Sequence, residues 1–203
     1  MSEQQARFDH AIALFDAANA ADPNQEGGQP KELLYARRMS EMLSRFAPDA
    51  SEAVKLAVRA QHIRRWTVPR SGYPMTKEGY HAWRTGLYRF HAETAGELMR
   101  QAGYEDAMIE RVMAAVGKRG IKVNPETQLL EDVADLVFIE HYMLGFAVSK
   151  PDYDEEKWLG IVRKTWNKMS ESARQFALSG AVKLPEALVP LITRAVSQAG
   201  SAR

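Results

Sequence analysis

No cysteine occurs anywhere in the 203-residue chain, which excludes disulfides, cysteine-ligated zinc and thiol nucleophiles together. Nor does any run approach the roughly 18 consecutive apolar residues that a membrane-spanning helix needs. The N-terminal stretch M-S-E-Q-Q-A-R-F lacks the basic-then-apolar build of a secretory leader, so a cytoplasmic protein without membrane association is expected. An excess of one charge is missing too: 27 Lys and Arg stand against 26 Asp and Glu, a net charge of +1. Any attraction for a polyanion must therefore be local. No segment keeps strict apolar–polar alternation over strand length, and the β-branched residues are dispersed through helical patterns. That points to an all-α fold. The composition, 45% hydrophobic and 26% charged, is ordinary for a globular chain. The length suits one compact domain, residues 1–203, with an N-terminal helical pair over 1–47, a core over 48–148 and a C-terminal helical extension over 149–203.

What is present is a series of apolar stripes at helical spacing. Phe8, Ala11, Ile12 and Phe15 fall at i, i+3, i+4 and i+7, one face of an amphipathic helix. A surface loop is predicted over Asp22–Pro30, where two prolines and two adjacent glycines break the pattern. Tyr35, Met39, Met42 and Phe46 mark a second helix, stopped by Pro48. Asp49 followed by Glu52 reads as a helix cap with its reciprocal partner, opening a third helix that runs to about Trp66. Thr76 caps the next, whose stripe is Tyr80, Trp83, Leu87, His91 and Leu98, and Gly103 ends it. Asn124-Pro125 starts another, since Asn accepts from the first free amides and proline suits the first helical position. Pro190 is expected to kink or split the last helix.

Two charge blocks stand out inside residues 50–146. From Lys55 to Arg89 the charged residues are Lys55, Arg59, Arg64, Arg65, Arg70, Lys77, Arg84 and Arg89, against Glu78 alone. From Glu126 to Glu140 they are all acidic. His62 lies within A-V-R-A-Q-H-I-R-R-W, His91 within Y-R-F-H-A-E-T-A-G-E-L, and Asp132 within L-L-E-D-V-A-D-L. All three adjoin apolar faces of different helices, which is how imidazole and carboxylate metal sites are built in helical bundles. The oxygen and nitrogen donors suit a divalent transition metal. The same spacing equally describes core histidines hydrogen-bonded to carboxylates with no metal. Asp135, one turn from Asp132, could hold an imidazole or orient a water; Glu93 points about 200° from His91 around the helix. Arg64, Arg65, Arg84 and Arg89 could fork onto a phosphate, or form a solvated face with salt bridges. Trp66, Tyr73, Tyr80, Trp83 and Tyr88 interleave with them, a mixture able to stack a base or to fill a core.

The stretch H-A-E-T-A-G-E-L-M-R-Q-A-G-Y followed by N-P-E-T-Q-L-L-E-D-V-A-D-L resembles part of an HD-type metal-dependent phosphohydrolase domain. Over nearly its full length, through A-Q-H-I-R-R-W, P-R-S-G-Y-P-M, W-R-T-G-L-Y-R-F-H-A-E-T and L-V-F-I-E-H-Y, the chain resembles domain-of-unknown-function family 4202. The HD resemblance implies an HD-like core with His62, His91 and Asp132 as ligands of a divalent metal ion. It implies hydrolysis of a nucleotide or small phosphate ester, with Asp135 or Glu93 orienting the water and Arg64, Arg65, Arg84 or Arg89 meeting the phosphate. The chain departs from that pattern in having no adjacent His-Asp pair. The alternative is a binding module for a phosphorylated ligand or RNA, without catalysis.

Overall fold

Helix α1, Glu3–Ala20, opens the computed structural model, which describes residues 2–200. Ser2 caps it by accepting from the Gln5 amide, and Ala11 and Phe15 face inward at 0% exposure. The predicted loop is a tight antiparallel ribbon, Gln25–Glu26 against Gln29–Pro30. Gly27 and Gly28 turn it with φ of +58° and +77°, angles that residues with a Cβ adopt only at a cost. Helix α2, Lys31–Phe46, buries Met39 and Met42. Helix α3, Glu52–Ala60, is capped by Ser51, whose hydroxyl accepts from Val54. The cap is thus two residues later than Asp49. The helix also stops well short of Trp66, because Arg64 adopts the left-handed conformation at φ 50°, and a single 3-10 turn follows at Arg65–Thr67.

Helix α4, Lys77–Gln101, is the longest of the chain. Thr76 caps it as expected, and at its other end Gly103 (φ +87°) lets the Tyr104 amide reach back to the Met99 carbonyl. Trp83, Leu87, His91, Ala95 and Leu98 face the core, whereas Tyr80 is 40% exposed. Helix α5, Asp106–Val116, buries Ile109, Val112 and Val116. It packs on α4 closely enough that a Cβ on Gly96 would stand 2.7 Å from the Met113 sulfur. Helices α1 to α5 thus form one bundle in which α3 touches α1, α2 and α5. Full burial of Phe15, Met39, Leu56 and Ile63 stabilises it by roughly 1.5–3 kcal/mol per side chain.

Helix α6, Pro125–Val137, begins where Asn124 accepts from the Glu126 amide at 2.9 Å. The chain divides into two compact units within this helix, Met1–Leu130 and Glu131–Arg203. After Val137 one π-helical turn, Phe138–Tyr142, shifts the phase of the apolar face before α7, Met143–Val148. The second unit continues through α8, Glu155–Lys168, and α9, Glu171–Leu178. Trp158, Leu159, Val162 and Trp166 are buried, and α8 packs against α10, Val189–Gly200. Pro190 occupies the first turn of α10 and separates it from the 3-10 turn Glu186–Leu188. The fold is all-α, with ten α-helices among the described residues. None of the helices there is long and apolar enough to cross a membrane.

Candidate functional site

The first unit brings two histidines, a glutamate and an arginine together around the residues that follow α3. Arg64 can turn left-handed because its amide is held by the buried Asn19 side chain at 3.0 Å. This break in the helix carries His62, the Ile63 carbonyl and Arg65 to one place. Arg65 donates to His62 Nε2 at 3.1 Å. A guanidinium can only donate, so His62 Nε2 is the acceptor and its neutral ring carries the proton on Nδ1. That Nδ1 stands 3.4 Å from Glu32 Oε2, an electrostatic contact longer than a well-formed hydrogen bond. Tyr35 stacks on the imidazole with centroids 4.1 Å apart and planes 12° from parallel. Arg65 lies over the Trp83 ring at 5.1 Å, and the Trp83 indole N–H donates to the Val68 carbonyl.

His91 reaches the same place from the middle of α4. Its Nδ1 lies 2.8 Å from the Ile63 carbonyl oxygen. A carbonyl only accepts, so Nδ1 carries the proton and Nε2 bears a lone pair. Nε2 is buried without a hydrogen-bond partner, in a residue that is 2% exposed. An unmatched buried acceptor costs about 1–3 kcal/mol. The rings of His62 and His91 are 5.9 Å apart.

The charge states follow from this packing. Burial, then the nearby positive charges of Arg65, Lys118, Arg84 and Lys31, hold His62 well below the usual imidazole range. Burial, then the neighbouring His62, brings His91 down to about 3 against the opposing effect of the Ile63 bond. Glu32 is pushed up to about 7 by burial, with Asp22 adding and Arg65, Lys31 and His91 subtracting. Near neutral pH the centre therefore holds two uncharged imidazoles, a carboxyl near its midpoint and several cations. Arg65 has no carboxylate within ion-pair distance among the described residues.

Arg84 is near enough to His62 to act on its charge, and the other predicted site residues make their contacts elsewhere. Arg84 is exposed, donates to the phenol oxygens of Tyr88 and Tyr80 at 3.0 and 3.2 Å, and lies over both rings. Arg89 and Glu93 meet each other at 4.0 Å on the solvent face of α4. The Arg64 side chain is exposed. Asp132 belongs to the second unit, where its Oδ1 accepts from the Ser170 amide at 2.7 Å and its Oδ2 from the Ser170 hydroxyl at 2.6 Å. It thus fastens the residue that caps α9. Asp135 and Glu131 accept from Lys168 at 2.7 and 2.8 Å. Burial acts against the charge of Lys168, but the two carboxylates outweigh it and raise its pKa.

These side chains do not fit a resident metal ion. Arg65 uses the one lone pair of neutral His62 and Ser170 engages both oxygens of Asp132, which leaves the Nε2 lone pair of His91 as the one unused donor of the three. Among the described residues no three His, Asp or Glu side chains form a group able to hold a metal ion. A dication against Arg65 would also meet like charge.

Three contributors escaped the sequence reading. Glu32 and Asn19 are not among the residues the sequence reading names, and Tyr35 enters it only as one position of an apolar stripe. Only the spacing of Glu32 and Tyr35, i and i+3 on one face of α2, offered a signal.

Neither a curated protein nor a solved structure matches the chain. A family model covers residues 9–192, more than nine-tenths of the length, and the chain accordingly belongs to the family described as Domain of unknown function (DUF4202).

Proposed function

We propose that the first unit binds a small phosphorylated molecule at the Arg65–His62–His91 centre, as a recognition module without catalysis. The carrying observation is Arg65: a half-buried guanidinium, held by an imidazole acceptor and an indole face, with no carboxylate within ion-pair distance among the described residues. Its remaining N–H groups form the planar fork that matches two phosphate oxygens. The lone pair of His91 accepts a hydrogen bond from a ligand hydroxyl or a protonated phosphate, supplying the partner that the protein does not. The local excess of positive charge favours an anion even though the whole chain is nearly neutral.

Inorganic phosphate and AMP are the probes, titrated into the full chain by calorimetry. Binding should be saturable, should weaken as salt is added, and should fall about tenfold or more in Arg65→Ala, as loss of a charge-assisted bond worth roughly 1.5–3 kcal/mol requires. Absence of binding, or equal binding by Arg65→Ala, overturns the reading.

The phosphohydrolase reading, with a divalent ion on His62, His91 and Asp132 in an HD-like domain, keeps one observation in its favour, the buried lone pair on His91. It requires the bonds to Arg65 and Ser170 to be exchanged for metal bonds. Elemental analysis decides between the two: stoichiometric metal in the purified chain, lost in His91→Ala, together with phosphate release, would replace recognition by hydrolysis.

A further inference from the structure

A concavity lies in the first unit, between α1, α2 and α3, and none of the residues of the Arg65 centre lines it. It measures about 280 Å³, close to the roughly 300 Å³ at which small-molecule pockets begin. That is room for a small molecule. Phe8 and Ile12 of α1, Leu43 of α2 and Val58 of α3 supply apolar wall. Val58 is 0% exposed and forms the floor.

The polar lining has a definite sign. Lys55 and Arg59 stand one turn apart on α3, and no carboxylate lines the cleft. Asp16 neutralises Arg59 through two bonds of 2.7 and 2.6 Å, and the third guanidinium contact goes to Ser40 at 3.2 Å. The hydroxyls of Ser40 and Ser44 donate to the carbonyls of Ala36 and Glu41. Lys55 is exposed and meets no carboxylate within ion-pair distance among the described residues. One uncompensated cation thus remains at the rim of an apolar cavity.

We infer that this cleft is a separate binding site for a small monocarboxylate with an apolar body. The body displaces water from Phe8, Ile12, Leu43 and Val58, and the carboxylate stays half-solvated beside the Lys55 ammonium. A single lysine is a point charge matched to a monoanion, unlike the guanidinium fork of Arg65. The inference does not depend on the phosphate reading.

Octanoate is the probe, titrated into the full chain while methyl resonances are followed by NMR. Saturable shifts should appear at Ile12, Leu43 and Val58, with a dissociation constant of about 0.1–1 mM. Lys55→Gln should weaken binding about fivefold, octanol, which keeps the body and lacks the charge, should also bind more weakly, and Ser44→Phe should abolish binding by filling the cleft from its exposed edge. Unchanged methyl shifts away from the cleft serve as the control that each variant is folded. No saturable shift, or equal affinity for octanol and octanoate with Lys55→Gln unchanged, overturns the inference. So do shifts confined to another part of the first unit.

Discussion

In the second unit Lys168 stands between Glu131 and Asp135 at 2.8 and 2.7 Å, and Ser170 engages both oxygens of Asp132. In the first unit Arg65 meets an imidazole and an indole but no carboxylate, and His91 buries a lone pair that no protein group satisfies. Both centres set charged or polar groups among apolar helices. In the acidic centre an ammonium and a serine answer the carboxylates, which contributes to folding; in the basic one the His91 Nε2 lone pair is left unmatched. Unmatched buried polarity destabilises a fold unless something fills it, and a ligand is what fills it at a binding site. The contrast teaches that a charge block becomes informative about function only once its partners are known.

The comparison breaks most sharply at Asp132. In Asp132→Ala the Ser170 amide and hydroxyl lose their acceptor and the N-terminus of α9 loses its anchor, so stability should fall by about 2–4 kcal/mol. Phosphate affinity in the first unit should stay within about twofold, a free-energy change of less than 0.5 kcal/mol. Urea denaturation and calorimetry on the same variant report the two effects, and a large loss of phosphate affinity would tie Asp132 to binding. Arg65→Ala should give the reverse: phosphate affinity down about tenfold or more, with stability changed by no more than about 1 kcal/mol.

Acid titration sharpens the contrast. His91, at about 3 in the folded chain against its ordinary 6.5, holds its proton more tightly unfolded. Its contribution to stability is present above pH 6.5 and is lost as pH falls from there towards about 3. The slope is about 1.4 kcal/mol per pH unit. His62 acts in the same direction. Glu32, raised from 4.5 to about 7, acts oppositely, since its neutral form is favoured by folding. That contribution is full below pH 4.5 and lost as pH rises through about 7. Between pH 4.5 and 6.5 the carboxyl therefore offsets part of the histidines' slope. Glu32→Gln should make stability fall more steeply with acid in that window, and His91→Gln should flatten it. Urea midpoints at two pH values inside the window measure both; identical slopes in wild type and Glu32→Gln would contradict the burial argument.

The smallest effect belongs to Arg89 and Glu93, exposed and 4.0 Å apart. Glu93→Gln or Arg89→Gln should change stability by at most about 0.5 kcal/mol and should leave phosphate binding untouched. A measurable loss of affinity would extend the site onto the outer face of α4.

Much of the secondary structure was legible because its causes are local. Thr76 and Asn124 cap helices where their neighbours' amides are free, and Gly103 takes the angle that ends α4. The third helix was read too long because nothing near Arg64 announces a left-handed residue. What stabilises that turn is Asn19, 45 positions earlier. For the site, His62 and His91 were singled out as polar groups beside apolar stripes and Arg65 as a cation able to meet a phosphate, and the structure brings these side chains close together. Asp132 was grouped with them because a carboxylate on a buried helix face looks alike whether it meets a metal, a lysine or a helix cap.

Periodicity, caps and composition thus determined an all-helical chain without cysteine and the helix faces that turn inward, since each depends on neighbours within a turn or two. Which acid neutralises which base, which imidazole nitrogen keeps its lone pair, and where a cation is left without a counter-charge were decided only by the tertiary structure. Electrostatic and hydrogen-bond energies depend on distances of a few ångströms between side chains that can lie tens of residues apart, and on the water that packing removes from around them.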